Sequence, residues 1–276
     1  LPEQQERLEE LTRALSRREV VAQLLHALDE ARVEPSEEEL EELFKELTPD
    51  ALVTVLKWLS RLSNEQARRI LHQAAGQMAE TQPRALGAAL ESKERVVVIE
   101  ALRLVQEREL RQLESHMEPL LKHAEIGVRM ALVAALDSVP TSRTMTALAT
   151  LLRDADPDVR IAGAVKALSG RRFQGALQAV EEAILGEQIR KGDLTERRAF
   201  FEAYGTIGGA GAVSHLRTLL LGKGFGVGRA DSDTRACAAM ALGRVASPPA
   251  RALLREAAKD RDPIVRTAVA RALRRG

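Results

Sequence analysis

An acidic residue stands four places before an arginine, and the pair recurs six times along the chain. The arginines are Arg95, Arg129, Arg160, Arg197, Arg235 and Arg266, at intervals of 34, 31, 37, 38 and 31 residues. The acids are Glu91, Glu125, Asp156, Asp193, Asp231 and Asp262. Six and seven places after the arginine comes a small–large pair: Ala101-Leu102, Ala135-Leu136, Ala203-Tyr204, Ala241-Leu242 and Ala272-Leu273. The third repeat is offset by one place, with Ala167-Leu168 at seven and eight. A period of this length means one supersecondary unit copied along the chain, with each copy burying its apolar face against its neighbours.

The chemistry of the signature reads as a helix start. An acid at the N-cap accepts hydrogen bonds from the free N–H groups of the first turn. Pro157 and Pro263 follow two of these acids, where a missing N–H costs nothing. Positions −1, +3, +6 and +7 relative to the arginine share one helix face, such as Val265, Val269, Ala272 and Leu273 in the last repeat. Leucine pairs between these helices (Leu120-Leu121, Leu151-Leu152, Leu219-Leu220) mark a second helix per period. No alternating strand pattern competes, so the expected class is all-α, built of stacked antiparallel helix pairs.

The segments DADPDVRIAGAVKAL (154–168) and DRDPIVRTAVARAL (260–273) resemble the HEAT-repeat family, and within it bacterial HEAT-like repeats of the phycobilin-lyase type. The resemblance covers residues 83–276 and is weaker where the proline is missing. It implies a right-handed α-solenoid in which Glu91, Arg95, Glu125, Arg129, Asp156, Arg160, Asp193, Arg197, Asp231, Arg235, Asp262 and Arg266 form a structural ladder. It also implies that the second helices line a concave groove. There, positions +1, +5 and +8 bring Val96, Met130, Ile161, Val165, Arg198, Met240 and Arg271 to the surface. This stripe is unusually apolar. Either it binds a partner or another helix covers it.

Residues 1–82 match the repeat poorly but read as helices, either degenerate repeats or a cap continuing the stack; an independent domain is the alternative. Ser36 and Glu39 form a capping box, and Leu52, Val55, Leu56 and Leu59 mark one apolar face. The chain opens at Leu1 without methionine and reads as a piece of something longer.

Charge is unevenly spread. Residues 1–50 hold 6 basic against 15 acidic side chains, net −9; residues 186–276 hold 17 against 9, net +8. The whole chain is at +1. One cysteine, Cys237, rules out an internal disulfide framework. The expectation is a cytoplasmic protein with no membrane span.

The glycine-rich stretch GKGFGVGRADSDTR (222–235) invites a phosphate-loop reading. Neither required spacing is met: Gly224 stands where Ser or Thr belongs after Lys223, and the third glycine of G-x-G-x-x-G is misplaced. It reads as an expanded turn that displays Lys223, Phe225 and Arg229 as candidate contacts. The five histidines are scattered and no H-E-x-x-H or nucleophile elbow occurs, so no catalytic or metal residues and no cofactor are expected. The resulting expectation is a non-catalytic scaffold that holds a partner protein's peptide or helix in the groove. The alternative is nucleic-acid or anionic-partner binding through Lys191, Arg198, Lys223, Arg229, Arg271, Arg274 and Arg275. Against it stand the near-zero net charge and the scarcity of aromatic groups, which also leaves no counterpart of the aromatic cleft of HEAT-like alkylpurine glycosylases. A bilin-lyase activity rests on the family resemblance alone.

Overall fold

The computed structural model of the protein describes residues 7, 10, 12–30, 36–222 and 230–275, with the side chains of 164–167 and 275 outside that description. Among these residues every regular element is helical. None of the helices is long and apolar enough to cross a membrane. The chain forms two compact units, Leu1–Val139 and Pro140–Gly276.

The first unit contains α1 (Arg18–Glu30), α2 (Glu37–Lys45), α3 (Leu52–Leu59), α4 (Glu65–Thr81), α5 (Pro83–Leu90), α6 (Arg95–Arg108), α7 (Glu114–Met117) and α8 (Ile126–Ser138). The capping box forms as expected: Ser36 Oγ accepts from Glu39 N, and Glu39 accepts from Ser36 N at 2.8 Å. Leu52, Val55, Leu56 and Leu59 are all buried. Helix α2 packs on α4, α3 on α5 and α6, and α6 on α8. The repeat signature begins at residue 83, but compactness divides the chain at 139/140, because α3 and α4 pack directly on α5 and α6.

The second unit contains α9 (Ser142–Thr150), α10 (Pro157–Ile161), α11 (Leu177–Leu185), α12 (Glu187–Lys191), α13 (Leu194–Gly208), α14 (Val213–Leu221), α15 (Ser232–Val245), α16 (Pro248–Ala257) and α17 (Pro263–Arg275). Helices α13, α15 and α17 pack in sequence, each on the next. Their approach is close because small residues meet. A methyl group added at Gly205 would land on the Ala241 carbonyl, and one at Gly243 would meet Ala272 Cβ at 2.9 Å. Helix α12 accounts for the longer fourth repeat.

The one-place offset of the third repeat has a structural counterpart. Helix α10 runs into a π-helix over Ala162–Ser169. A π turn absorbs an extra residue within a helix. Leu168, one place late in sequence, is thereby still fully buried.

The acids act as caps in four of the six repeats. Asp156 accepts from Asp158 N and Val159 N, Asp193 from Glu196 N, and Asp231 from Thr234 N. Asp262 accepts from Ile264 N at 2.9 Å. The other two acids depart from the expectation. Glu125 is an N-cap without a side-chain bond. Glu91 ends α5, and the N-cap of α6 is Glu94, also without a side-chain bond. Glutamate's extra methylene makes it a poorer cap than aspartate.

Candidate functional site

Three of the ladder arginines fasten their helix to the turn before it. Arg129 Nη1 donates to the carbonyls of His123 and Ala124 at 2.6 and 3.1 Å. Arg160 Nη1 donates to those of Asp154 and Ala155 at 2.6 and 2.8 Å. Arg266 Nη1 donates to those of Asp260 and Arg261 at 2.7 and 2.8 Å. In each case the acceptors lie six and five residues before the arginine. The remaining edge of the guanidinium reaches into the following repeat. Arg95 pairs with Glu125 at 3.6 Å and Arg197 with Asp231 at 3.3 Å. Arg160 Nε donates to Glu196 at 2.5 Å, and Arg235 pairs with Asp260. The ladder therefore runs between repeats. In the third and fifth repeats the carboxylate comes from Glu196 and Asp260 rather than from Asp193 and Asp262. Asp193 is occupied as a cap, and Asp262 accepts from the Ser232 hydroxyl.

On the exposed side of the same helices lies a groove of about 450 Å³. Leu194 and Arg198 of α13 form one wall, Ala236, Cys237 and Met240 of α15 the floor, and Pro263, Ile264, Thr267, Ala268 and Arg271 of α17 the other wall. Its surface is chiefly apolar. Leu194 and Ile264 are 54% and 51% exposed, which is unusual for large aliphatic side chains. Arg198 Nε donates to Glu202 at 2.7 Å, and Arg244 Nη2 donates to the same carboxylate at 2.7 Å. Burial works to raise the Glu202 pKa, but the two guanidinium bonds outweigh it and hold the group below its ordinary value. Arg271 has no carboxylate partner among the described residues. Burial pushes the Cys237 thiol up to about 12, so the groove floor carries a neutral thiol, not a nucleophile.

Of the seven residues assigned to the groove from sequence, Arg198, Met240 and Arg271 line this one. Ile161 is half-buried at the end of α10, and Val165 lies in the π segment with its side chain outside the description. Val96 and Met130 belong to the first unit, Val96 half-buried and Met130 exposed beside Ile126. Lys223, Phe225 and Arg229 lie outside the described residues. The sequence reading missed Leu194 and Ile264. The signal was present: an aliphatic residue in the first turn, one or two places after a capping acid, as in Asp193-Leu194 and Asp262-Pro263-Ile264. A solvated helix start should be polar there.

A second groove, of about 960 Å³ in the first unit, is lined mostly by charged and polar side chains. Its charges satisfy one another: Arg69–Glu37 at 2.7 Å, His72–Glu107 at 2.5 Å and Arg103–Glu100 at 3.1 Å. Burial raises the Glu100 pKa against the pull of Arg103. His215 likewise bonds Glu181 at 2.8 Å and Tyr204 at 3.3 Å; burial, then Glu181, pushes the tyrosine to about 12. Among the described residues no group of three or more His, Cys, Asp or Glu is placed to hold a metal ion.

A family model described as HEAT repeats matches residues 226–275. No curated protein matches the chain. Among solved structures, a crystal structure of an engineered protein shares 18% identity at a TM-score of 0.41, over 93% of this chain and 78% of that one. Human deoxyhypusine hydroxylase in complex with glycerol shares 20% identity at a TM-score of 0.36, over 93% and 96%. The matched segment and the recurring helix pairs together make the fold an all-α solenoid of HEAT-like repeats.

Proposed function

We propose that this chain is a non-catalytic protein-interaction scaffold, and that the groove along α13, α15 and α17 holds an apolar segment of a partner protein. The observation that carries the proposal is the groove itself, with Leu194 and Ile264 exposed on facing walls above Met240. Contiguous exposed apolar surface of this kind marks interaction sites, and methionine adapts to varied side chains. Arg271 adds a preference, since a guanidinium at an apolar rim with no carboxylate partner among the described residues favours a carboxylate in the occupant. The occupant is therefore a short segment with two or three aliphatic or aromatic side chains and an Asp or Glu beside them. The narrower phycobilin-lyase likeness rests on the D-P-x-V-R segments, and the reading needs no chemical step from it. The neutral Cys237 and the mutually bonded His215–Glu181 pair favour packing roles over catalysis.

Selection of peptides from a random library on the whole chain tests this. Enriched sequences should combine apolar residues with an acid. They should bind Leu194→Asp and Ile264→Asp at least about tenfold more weakly, while melting temperatures stay unchanged because both side chains are exposed. Arg271→Glu should shift the selected charge from acidic to basic. Selection that yields no enrichment, or peptides indifferent to both aspartates, rules the groove out.

A further inference from the structure

Two glutamates hold the same place in their repeats but are not equally provided with partners. Glu100 and Glu202 each stand five places after a ladder arginine, Arg95 and Arg197 respectively. Their side chains are enclosed to a similar degree, at 9% and 14% exposure. Glu202 receives a guanidinium on each oxygen. Arg198 Nε, from its own helix, donates to Oε1 at 2.7 Å; Arg244, from the following repeat, donates Nε and Nη2 to Oε2 at 2.9 and 2.7 Å. Glu100 receives only one. Arg103 Nη1, again from its own helix, donates to Oε2 at 3.1 Å, and no described group bonds Oε1. Arg244 stands nine places after its ladder arginine. Nine places after Arg129 the chain carries Ser138 instead, whose hydroxyl donates to the Ala135 carbonyl. The electrostatics follow the count. Burial of Glu202 is outweighed by its two guanidiniums, whereas burial of Glu100 outweighs its one.

Glu100 lines the polar groove of the first unit, and that groove has room for the second guanidinium. Glu107, two turns further along α6, lines it too, and its negative charge acts on Glu100. Gln66 and Gln73 of α4 add amide groups that can accept from a bound donor. The other arginines of the lining are engaged elsewhere, Arg68 with Glu65 at 3.6 Å and Arg69 with Glu37 at 2.7 Å. A carboxylate so enclosed, with one oxygen unbonded, gains more from an added cation than a carboxylate in open water does. Glu202 shows which cation suits this position in the repeat. A guanidinium offers several donors in a planar fork matched to a carboxylate, which the compact ammonium of lysine does not.

We propose that Glu100 anchors a binding site for an arginine side chain of a partner protein, which enters the polar groove of the first unit and completes around Glu100 the two-guanidinium arrangement that Arg198 and Arg244 complete around Glu202. The arginine is flanked by small or polar residues, since the lining around it is mostly charged and polar. This site and the apolar groove of the second unit select opposite charges. One arginine held in this way binds weakly, with a dissociation constant on the order of millimolar.

Nuclear magnetic resonance titration of the isotope-labelled full chain with acetyl-Gly-Arg-Gly-amide tests this. The peptide should move backbone amide resonances of α4 and α6. The same peptide with citrulline, which keeps the shape and loses the charge, should move none. Glu100→Gln should weaken the arginine peptide by roughly tenfold, the usual worth of a hydrogen bond to a charged group. Glutamine has the same shape, so the fold survives the change. Glu42→Gln makes the same charge change on an exposed residue of α2 outside the groove and should leave the affinity unchanged. Four results would each overturn the proposal: an arginine peptide that shifts nothing, a citrulline peptide that shifts the same resonances as strongly, Glu100→Gln binding as tightly as the parent, or Glu42→Gln weakening binding as much as Glu100→Gln. None of these residues lines the apolar groove, so the outcome is independent of peptide binding there.

Discussion

The buried pair Arg160–Glu196 offers a sharp test of how the stack is held. Both side chains are almost fully enclosed, at 6% and 2% exposure, with Arg160 Nε donating to the carboxylate at 2.5 Å. Arg160→Met removes the cation and leaves Glu196 ionised in a site shut off from water. Breaking a buried pair from one side costs roughly 3–5 kcal/mol. The mutation also strips donors from the Asp154 and Ala155 carbonyls, but that turn is partly solvated and water can replace them. For a unit of this size about 4 kcal/mol lowers the melting temperature by roughly 10–15 °C. The double variant Arg160→Met/Glu196→Leu removes the stranded charge as well, and should recover about 2 kcal/mol of the loss, since apolar replacements of buried pairs are often well tolerated. Urea unfolding followed by far-ultraviolet circular dichroism gives both numbers. If Arg160→Met costs less than about 1 kcal/mol, or the double variant is no more stable than the single, the pair is not the buried electrostatic tie described here.

Three further outcomes are expected. Gly205→Ala should destabilise by about 1–3 kcal/mol through overpacking against the Ala241 carbonyl, whereas Gly211→Ala, with nothing within 4 Å of the added methyl, should be close to neutral. Glu100→Gln should stabilise at pH 7. Burial raises the folded-state pKa above the unfolded one, so the ionised form carries a penalty above the folded pKa, and the penalty disappears as pH falls through both values. A gain that grows on acidification contradicts that sign. Cys237, the only thiol, should react with a disulfide reagent at pH 8 far more slowly in the native chain than in urea. Burial and a pKa of about 12 remove both access and thiolate, and equal rates would refute the buried placement.

The repeat was legible because several ladder arginines have a local task. Arg129, Arg160 and Arg266 bond carbonyls five and six residues back, so their distance from the turn cannot drift, and Asp156 and Asp262 cap the same helix starts. The choice of carboxylate was not legible. Whether Arg160 takes Glu196 or Asp193 depends on how neighbouring repeats stack, and both residues sit at the same helix start. The offset Ala167-Leu168 announced an extra residue in the third repeat, but a spacing count does not distinguish a longer turn from a π-helix. The groove was half legible. Position +1 or +5 after the arginine found Arg198, Met240 and Arg271. Leu194 and Ile264 were passed over because they precede the arginine, in a turn read only for its caps.

Arg235 departs from the other clamps in one respect. Its Nε donates at 2.9 Å to the carbonyl of Leu220, fifteen residues back and still within α14, so it ties the two helices of its pair without using the chain between them. The same guanidinium holds the Asp260 carboxylate just ahead of α17, so one side chain joins α14, α15 and the approach to the next repeat. A single substitution at Arg235 therefore loosens three successive segments at once, which makes it a keystone of this end of the stack and not one rung among equals.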